Sequence, residues 1–183
     1  MTVGGRQELQ ALALGPIPSK IRADGLSLLR LLDEQIRDLD QELRRHWGED
    51  PRVQRLITIP GIGPFVAIVL VLELGDIHRF PSAKHLASYV GLTPRVRDSA
   101  ERTRHGHISK EGNHLLRWVL VLAATQAARS PGPLRTWFRA VQKRKGKKIA
   151  RVALARRLAE IVYQVWKEKI DYFTVLGHGG VRG

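Results

Sequence analysis

The sequence predicts an all-α fold, a helical domain preceded by one long amphipathic helix, on three observations. Apolar residues at Leu29, Leu32, Ile36, Leu39 and Leu43 recur every three or four positions, which is the helical period. Leu154, Leu158, Ile161, Val165 and Trp166 repeat that period near the other end. No segment shows the strict apolar–polar alternation of a half-buried strand.

The elements follow in chain order. Residues 1–18 contain Gly4, Gly5, Gly15, Pro16 and Pro18 and read as a flexible leader, with Ser19 as a cap for the next helix. Residues 19–50 form the amphipathic, coiled-coil-like helix. Its two heptads leave two readings open, a helix packed on its own domain and a dimerisation arm. A helical domain then spans 51–176, and 177–183 is a flexible tail.

Within that domain, Pro60 disfavours helix at Ile59, Gly61 and Gly63 permit a tight turn, and Pro64 suits the first turn of a new helix. That helix is apolar nearly all round, from Phe65 to Leu72, so burial is expected. The pattern resembles a helix-hairpin-helix motif, in which glycines let backbone N–H groups approach a phosphate. An ordinary interhelical turn packed through small residues fits as well. A short helix over 81–90 ends at Gly91. Asn113 caps a helix whose core face is Leu116, Val119, Leu120 and Ala123. Ser130-Pro131-Gly132-Pro133 breaks the chain. A short helix follows with Trp137 and Phe138 inside, then KRKGKK at 143–148 and a helix over 149–170.

Composition bounds the function. The 183 residues are 43% hydrophobic, enough for one core, and carry a net charge of +14. There is no cysteine, so neither disulfides nor thiolate metal sites exist. The apolar runs near 65–72 and 118–124 are shorter than the roughly 20 residues that cross a bilayer, and no secretory pattern opens the chain. A cytoplasmic protein is expected. Between Gly91 and Arg157 lie 17 Lys or Arg against 3 Asp or Glu, so one segment carries the whole excess. Such segregation is the footprint of a polyanion-binding face, with nucleic acid favoured over an anionic membrane.

Thr93 to Gly112 (TPRVRDSAERTRHGHISKEG) has only Val96, Ala100 and Ile108 as apolar residues and shows neither period. A stretch this long inside a compact domain points to function or disorder. Arg95, Arg97, Arg102 and Arg104 can grip a phosphate through charge-assisted, bidentate hydrogen bonds. Ser99 among them is a candidate nucleophile, which needs a base or a metal to activate it. Asp98, Glu101, His105 and His107 are the local base candidates. Two histidines make a weak metal signal, and no convergent acidic set for Mg²⁺ emerges.

LITIPGIGPFVAIVLVLELGD, then FPSAKHLASYVGLTPR, Ser99 and GHISKEGNHLLR, in that order, resemble the C-terminal transposase domain of the Piv-type insertion-sequence transposases (insertion sequences 110, 116 and 902). The resemblance covers about residues 52–172. It implies a site-specific DNA recombinase in which this domain supplies a serine that attacks DNA and becomes a phosphoserine link. Lying between the GLTPR and GHISK motifs, that serine corresponds to Ser99. The resemblance also implies an N-terminal RuvC-like domain whose acidic residues bind Mg²⁺, and in some members a guide RNA. The expected DNA-contacting set is Gly61, Gly63, Arg95, Arg97, Arg102, Arg104, Lys110, Asn113, Arg117, Lys143, Arg144, Lys145, Lys147 and Lys148. The expected partners are element-end and target DNA, a guide RNA, a RuvC-like catalytic domain and further copies of the chain.

Two departures stand out. Ala100 follows the serine where the family has glycine, and no RuvC-like domain is present in this sequence. No cofactor is therefore expected in this chain, Mg²⁺ entering only with the acidic domain, and little strand transfer is expected from the chain alone. A non-catalytic helical module binding DNA or RNA is the alternative.

Overall fold

A computed structural model describes residues 3–99, 102–108 and 112–177. The chain forms two compact units, Met1–Arg45 and His46–Gly183.

In the first unit, helix α1 spans Val3–Ala11 where the sequence suggests a flexible leader, and α2 runs from Pro16 to Trp47. The proline-rich stretch starts α2 rather than blocking it. Pro16 and Pro18 lie in the first turn, where their missing N–H groups would have had no intrahelical acceptor. Ser19 is thus inside the helix, not at its cap, and its hydroxyl donates to the Leu14 carbonyl at 3.1 Å. The Arg22 guanidinium donates to the Leu9 and Leu12 carbonyls at 3.0 and 2.6 Å, serving acceptors left over at the end of α1. No residue of α2 is buried; Leu32, Ile36 and Leu39 keep 43%, 57% and 64% exposure.

The second unit is built around α8 (Lys147–Glu168), against which α3 (Pro51–Leu56), α5 (Ala83–Tyr89), α6 (His114–Ala127), α7 (Pro133–Lys145) and α9 (Tyr172–Gly177) pack. All five residues of its expected stripe are buried, as are Ala150, Ala155 and Ala159 on the same helix. Those alanines let neighbouring helices approach closely. Helix α4 (Pro64–Leu74) packs on α3 and α6. Leu116, Val119, Leu120 and Ala123 form the core face of α6. Phe138 is buried, whereas Trp137 is half-buried under the Arg157 guanidinium, 5.0 Å from the ring centre. Among the described residues no helix is long and apolar enough to cross a membrane.

The all-α architecture holds for the whole core. The departure is the polar stretch after Gly91, which is not structureless: β1 (Pro94–Ser99) pairs antiparallel with β2 (Arg102–Ile108). A ribbon held by its backbone ladder does not need the alternation that packing against a core imposes, so its sequence carries no period.

Local chemistry fixes the start of α3. Asp50 accepts from the Arg52 backbone N–H at 2.7 Å, and the Arg52 guanidinium closes on the same carboxylate at 2.6–3.1 Å. The side-chain bond from Arg52 holds the Asp50 carboxyl below its ordinary value of 3.8, against a smaller opposing effect of burial. At the far end, the Tyr172 N–H donates to Thr58 Oγ1 at 3.0 Å, tying α9 to the turn after α3. The Tyr172 hydroxyl is buried without a hydrogen-bond partner among the described residues, and burial pushes its pKa up.

Two stability predictions follow from these sites. Asp50→Ala is expected to cost about 1 kcal/mol at neutral pH as a lost N-cap. The native pKa lies below the unfolded one, so this stabilisation is full above the unfolded value and disappears as pH falls through the native value. Urea unfolding of both proteins across that acid range checks it. Tyr172→Phe removes a buried hydroxyl that makes no bond, so stability should hold or rise, as read by thermal unfolding.

Candidate nucleic-acid interface

The ribbon stands on a narrow foot. Gly112 packs so tightly on the Tyr89–Gly91 backbone that a Cβ there would overlap the Tyr89 carbonyl oxygen and the Gly91 nitrogen. The Asn113 N–H donates to that same Tyr89 carbonyl at 3.0 Å. Gly91 has φ 77, and an added Cβ would come within 2.6 Å of Arg117 Nη1. That nitrogen donates to the Val90 carbonyl at 3.2 Å. Asn113 caps α6 by accepting from the Leu116 N–H at 3.0 Å, and its amide donates to Glu73 at 2.8 Å. Asn113 and Arg117, both in the expected DNA-contacting set, therefore hold the foot together.

Above the foot, register pairs Arg97 with Arg104 and Ser99 with Arg102. Positions two apart along a strand share a face, so Arg97, Ser99, Arg102 and Arg104 lie on one face of the ribbon. Val96, Asp98, Thr103 and His105 hold the other. Arg95 and His107 fall in the irregularity between the Pro94–Ile108 and Val96–His105 pairs. Of the base candidates, Asp98 and His105 are thus on the face opposite Ser99. Glu101 and Lys110 lie outside the described residues.

The turn between α3 and α4 separates its two glycines. Gly61, at φ 92, is turned onto α6, where an added Cβ would overlap the Ala123 carbonyl oxygen and come within 2.7 Å of Ala127 N. Its role is close packing. Gly63 is exposed, has nothing within 4 Å of an added Cβ, and starts α4 with no side-chain cap.

A third cationic feature is the corner between α7 and α8. Lys143, Arg144 and Lys145 form the last turn of α7, and Gly146, at φ 81, turns the chain into Lys147 and Lys148 of α8. Residues 112–159 contain twelve Lys or Arg and no Asp or Glu. No carboxylate within that stretch can neutralise the corner. Among the described residues no three His, Asp or Glu side chains cluster as a metal site.

The model of the transposase IS116/IS110/IS902 family matches residues 53–139, from α3 through the ribbon into α7. The insertion element IS116 uncharacterized 44.8 kDa protein of Streptomyces clavuligerus is 33% identical over 155 residues, which is 82% of this chain and 38% of that protein. The transposase for insertion sequence element IS1111A of Coxiella burnetii is 32% identical over 144 residues, 76% of this chain and 40% of that protein. The chain belongs to the IS116/IS110/IS902 transposase family. The pilin gene-inverting protein of Moraxella bovis is 38% identical over 120 residues, 64% of the chain and 37% of its own length. The chain thus spans about two-fifths of each of these relatives.

Arg79, outside the expected DNA-contacting set, is exposed on the transposase-family domain. Arg79 stands alone in the sequence pattern, and only the fold shows its guanidinium 4.7 Å from the ring centres of both Phe80 and Tyr89.

The two turn glycines yield a paired prediction. Gly61→Ala should cost at least about 2 kcal/mol through strain and overlap. Gly63→Ala, at φ −91 in open space, should leave stability nearly unchanged. Thermal unfolding of the two variants checks this, and equal losses would contradict it.

Proposed function

We propose that this chain is the serine-bearing part of a DNA transposase, binding DNA through its cationic face and supplying Ser99 as nucleophile. The observation that carries the reading is the register of the ribbon, which groups Ser99 with Arg97, Arg102 and Arg104. In the reaction, Ser99 Oγ bonds to a backbone phosphorus and loses its proton. The P–O bond to the departing strand breaks, and its sugar oxygen takes up a proton. Negative charge grows on the non-bridging oxygens, and fixed guanidinium groups stabilise it most where water is excluded.

Asp98 and His105 lie across the ribbon from Ser99, and this reading assigns the proton acceptor to another domain. That requirement fits an acidic RuvC-like partner carrying Mg²⁺, in the same chain or another. The family relationship supports DNA as substrate; the proposal adds a guide RNA and further copies of the chain as partners and a cytoplasmic setting. A second reading, a non-catalytic nucleic-acid-binding module, is favoured by the placement of Asp98 and His105 on the face opposite Ser99.

The test combines this chain, a matched RuvC-like domain, Mg²⁺, element-end DNA and any RNA the element encodes, followed by a denaturing gel. A covalent protein–DNA adduct is expected, and Ser99→Ala should abolish it while leaving binding nearly intact. Arg144→Ala or Lys147→Ala should instead lower affinity and reduce the salt slope by about 0.9 for each phosphate that is no longer neutralised. An adduct that survives Ser99→Ala would overturn the assignment. Binding without any adduct would favour the module.

A further inference from the structure

Arg79 is the last residue of a short 3₁₀ turn, Ile77–Arg79, between α4 and α5. Asp76 caps that turn by accepting from the His78 N–H at 2.9 Å. The two rings beneath Arg79 are packed on each other, with centres 5.2 Å apart. Phe80 is buried, while Arg79 and Tyr89 are exposed. The platform is rigid from below. The Tyr163 hydroxyl, on α8, donates to the Phe80 and Pro81 carbonyls, 3.1 Å from each.

The two rings, inclined at 58° to each other, hold the guanidinium carbon at 4.7 Å from both ring centres, and a cation–π contact leaves guanidinium N–H groups able to donate elsewhere. Cation–π contact of this kind explains why the side chain stays in place; the nearest carboxylate in sequence, Asp76, is engaged by the His78 N–H. From Ile77 to Arg97 the sequence contains no Asp or Glu, and Lys84 and His85 lie exposed on the neighbouring α5. A fork of donors held still before binding forms bidentate contacts with less loss of rotamer freedom.

Its position gives the stack a purpose. Tyr89 supplies one of the two rings, and its own carbonyl receives the Asn113 N–H at the foot of the ribbon. We propose that Arg79, stacked on Phe80 and Tyr89, is a preformed grip for a phosphodiester of the bound nucleic-acid strand, anchoring the backbone at the foot of the ribbon that carries Ser99. The proposal rests on the nucleic-acid-binding reading above. The five steps from Pro94 to Ser99, each rising about 3.3 Å, carry Ser99 roughly 17 Å along β1 from its start. Arg79 therefore grips a different phosphate from the one attacked. It is a binding residue, and its removal weakens binding without slowing the covalent step once the complex has formed.

The experiment measures anisotropy of a labelled DNA duplex of mixed sequence, titrated with the full chain over a range of salt concentrations. The chain as it stands is compared with Arg79→Ala and Arg79→Lys. Arg79→Ala should bind roughly tenfold more weakly, as expected when a charge-assisted hydrogen bond is removed, with a salt slope smaller by about 0.9. Arg79→Lys should recover the slope, because the charge remains, and only part of the affinity, because the planar fork is gone. Thermal unfolding of each variant runs alongside. A lower melting temperature for Arg79→Ala with an unchanged salt slope would make the stack a structural latch and overturn the proposal. Full affinity in Arg79→Lys would overturn the preformed fork. Failure of the unaltered chain to bind duplex would overturn the nucleic-acid reading as well, whereas binding that Arg79→Ala leaves untouched would overturn the grip alone.

Discussion

Everything the candidate site can do depends on the close approach of Gly112 to the Tyr89–Gly91 backbone. A two-stranded hairpin is at best marginally stable in water on its own, so the ribbon needs an anchor to hold a defined position. The anchor is steric first: the backbones meet where no Cβ fits. Polar groups then lock it, through the Asn113 N–H on Tyr89 and the Arg117 guanidinium on Val90. Asn113 extends the joint to α4 through Glu73 and caps α6. Packed and hydrogen-bonded groups thus link α4 and α6 to the Tyr89–Gly91 backbone just ahead of β1.

On the ribbon itself, local stability and function pull in opposite directions. Arg97 and Arg104 occupy directly paired positions, and like charges so placed oppose strand pairing by a few tenths of a kcal/mol to about 1 kcal/mol. A sequence selected for an isolated hairpin would pair opposite charges there. The arrangement makes sense beside a polyanion, which removes the repulsion and gains the phosphate contacts. The same reasoning separates the two halves of the joint. Arg117 and Asn113 make hydrogen bonds to Val90 and Glu73 respectively, whereas Arg79, on the Tyr89 ring, is exposed.

The helical core was legible because its signals are local and redundant. The α8 stripe, the α6 face and the Asn113 cap each follow from spacing plus a capping residue, and all three appear in the structure. The start of α2 was misread because prolines in a first turn look like breakers until the register of the helix is known. The ribbon was invisible because it has no core-facing alternation to reveal it. For the site, the sequence supplied residue types but not direction. Gly61 and Gly63 look equivalent in PGIGP, yet one faces α6 and the other faces open space. Arg117 and Asn113 sit in a motif rich in phosphate-binding residue types, and only hydrogen-bond partners show that they hold the foot. Arg79 was missed for the converse reason: an isolated arginine becomes meaningful only when Phe80 and Tyr89 are brought beneath it.

The corner between α7 and α8 shows how far charge placement alone can be pressed. Lys143, Arg144 and Lys145 end α7, where the helix dipole favours cations, so the fold itself accounts for them. Lys147 and Lys148 begin α8, where the same dipole opposes them by some tenths of a kcal/mol each. Gly146 at φ 81 offers no side chain to cap that end, and no acidic residue lies between Gly112 and Ala159 to offset the charge. Helix propensity does not require lysine here, since alanine would serve α8 better. The fold gains nothing from these two lysines and is slightly weakened by them. A polyanion at this corner, as in the proposed nucleic-acid-binding reading, accounts for their position, and the same reading accounts for the paired register positions of Arg97 and Arg104 on the ribbon.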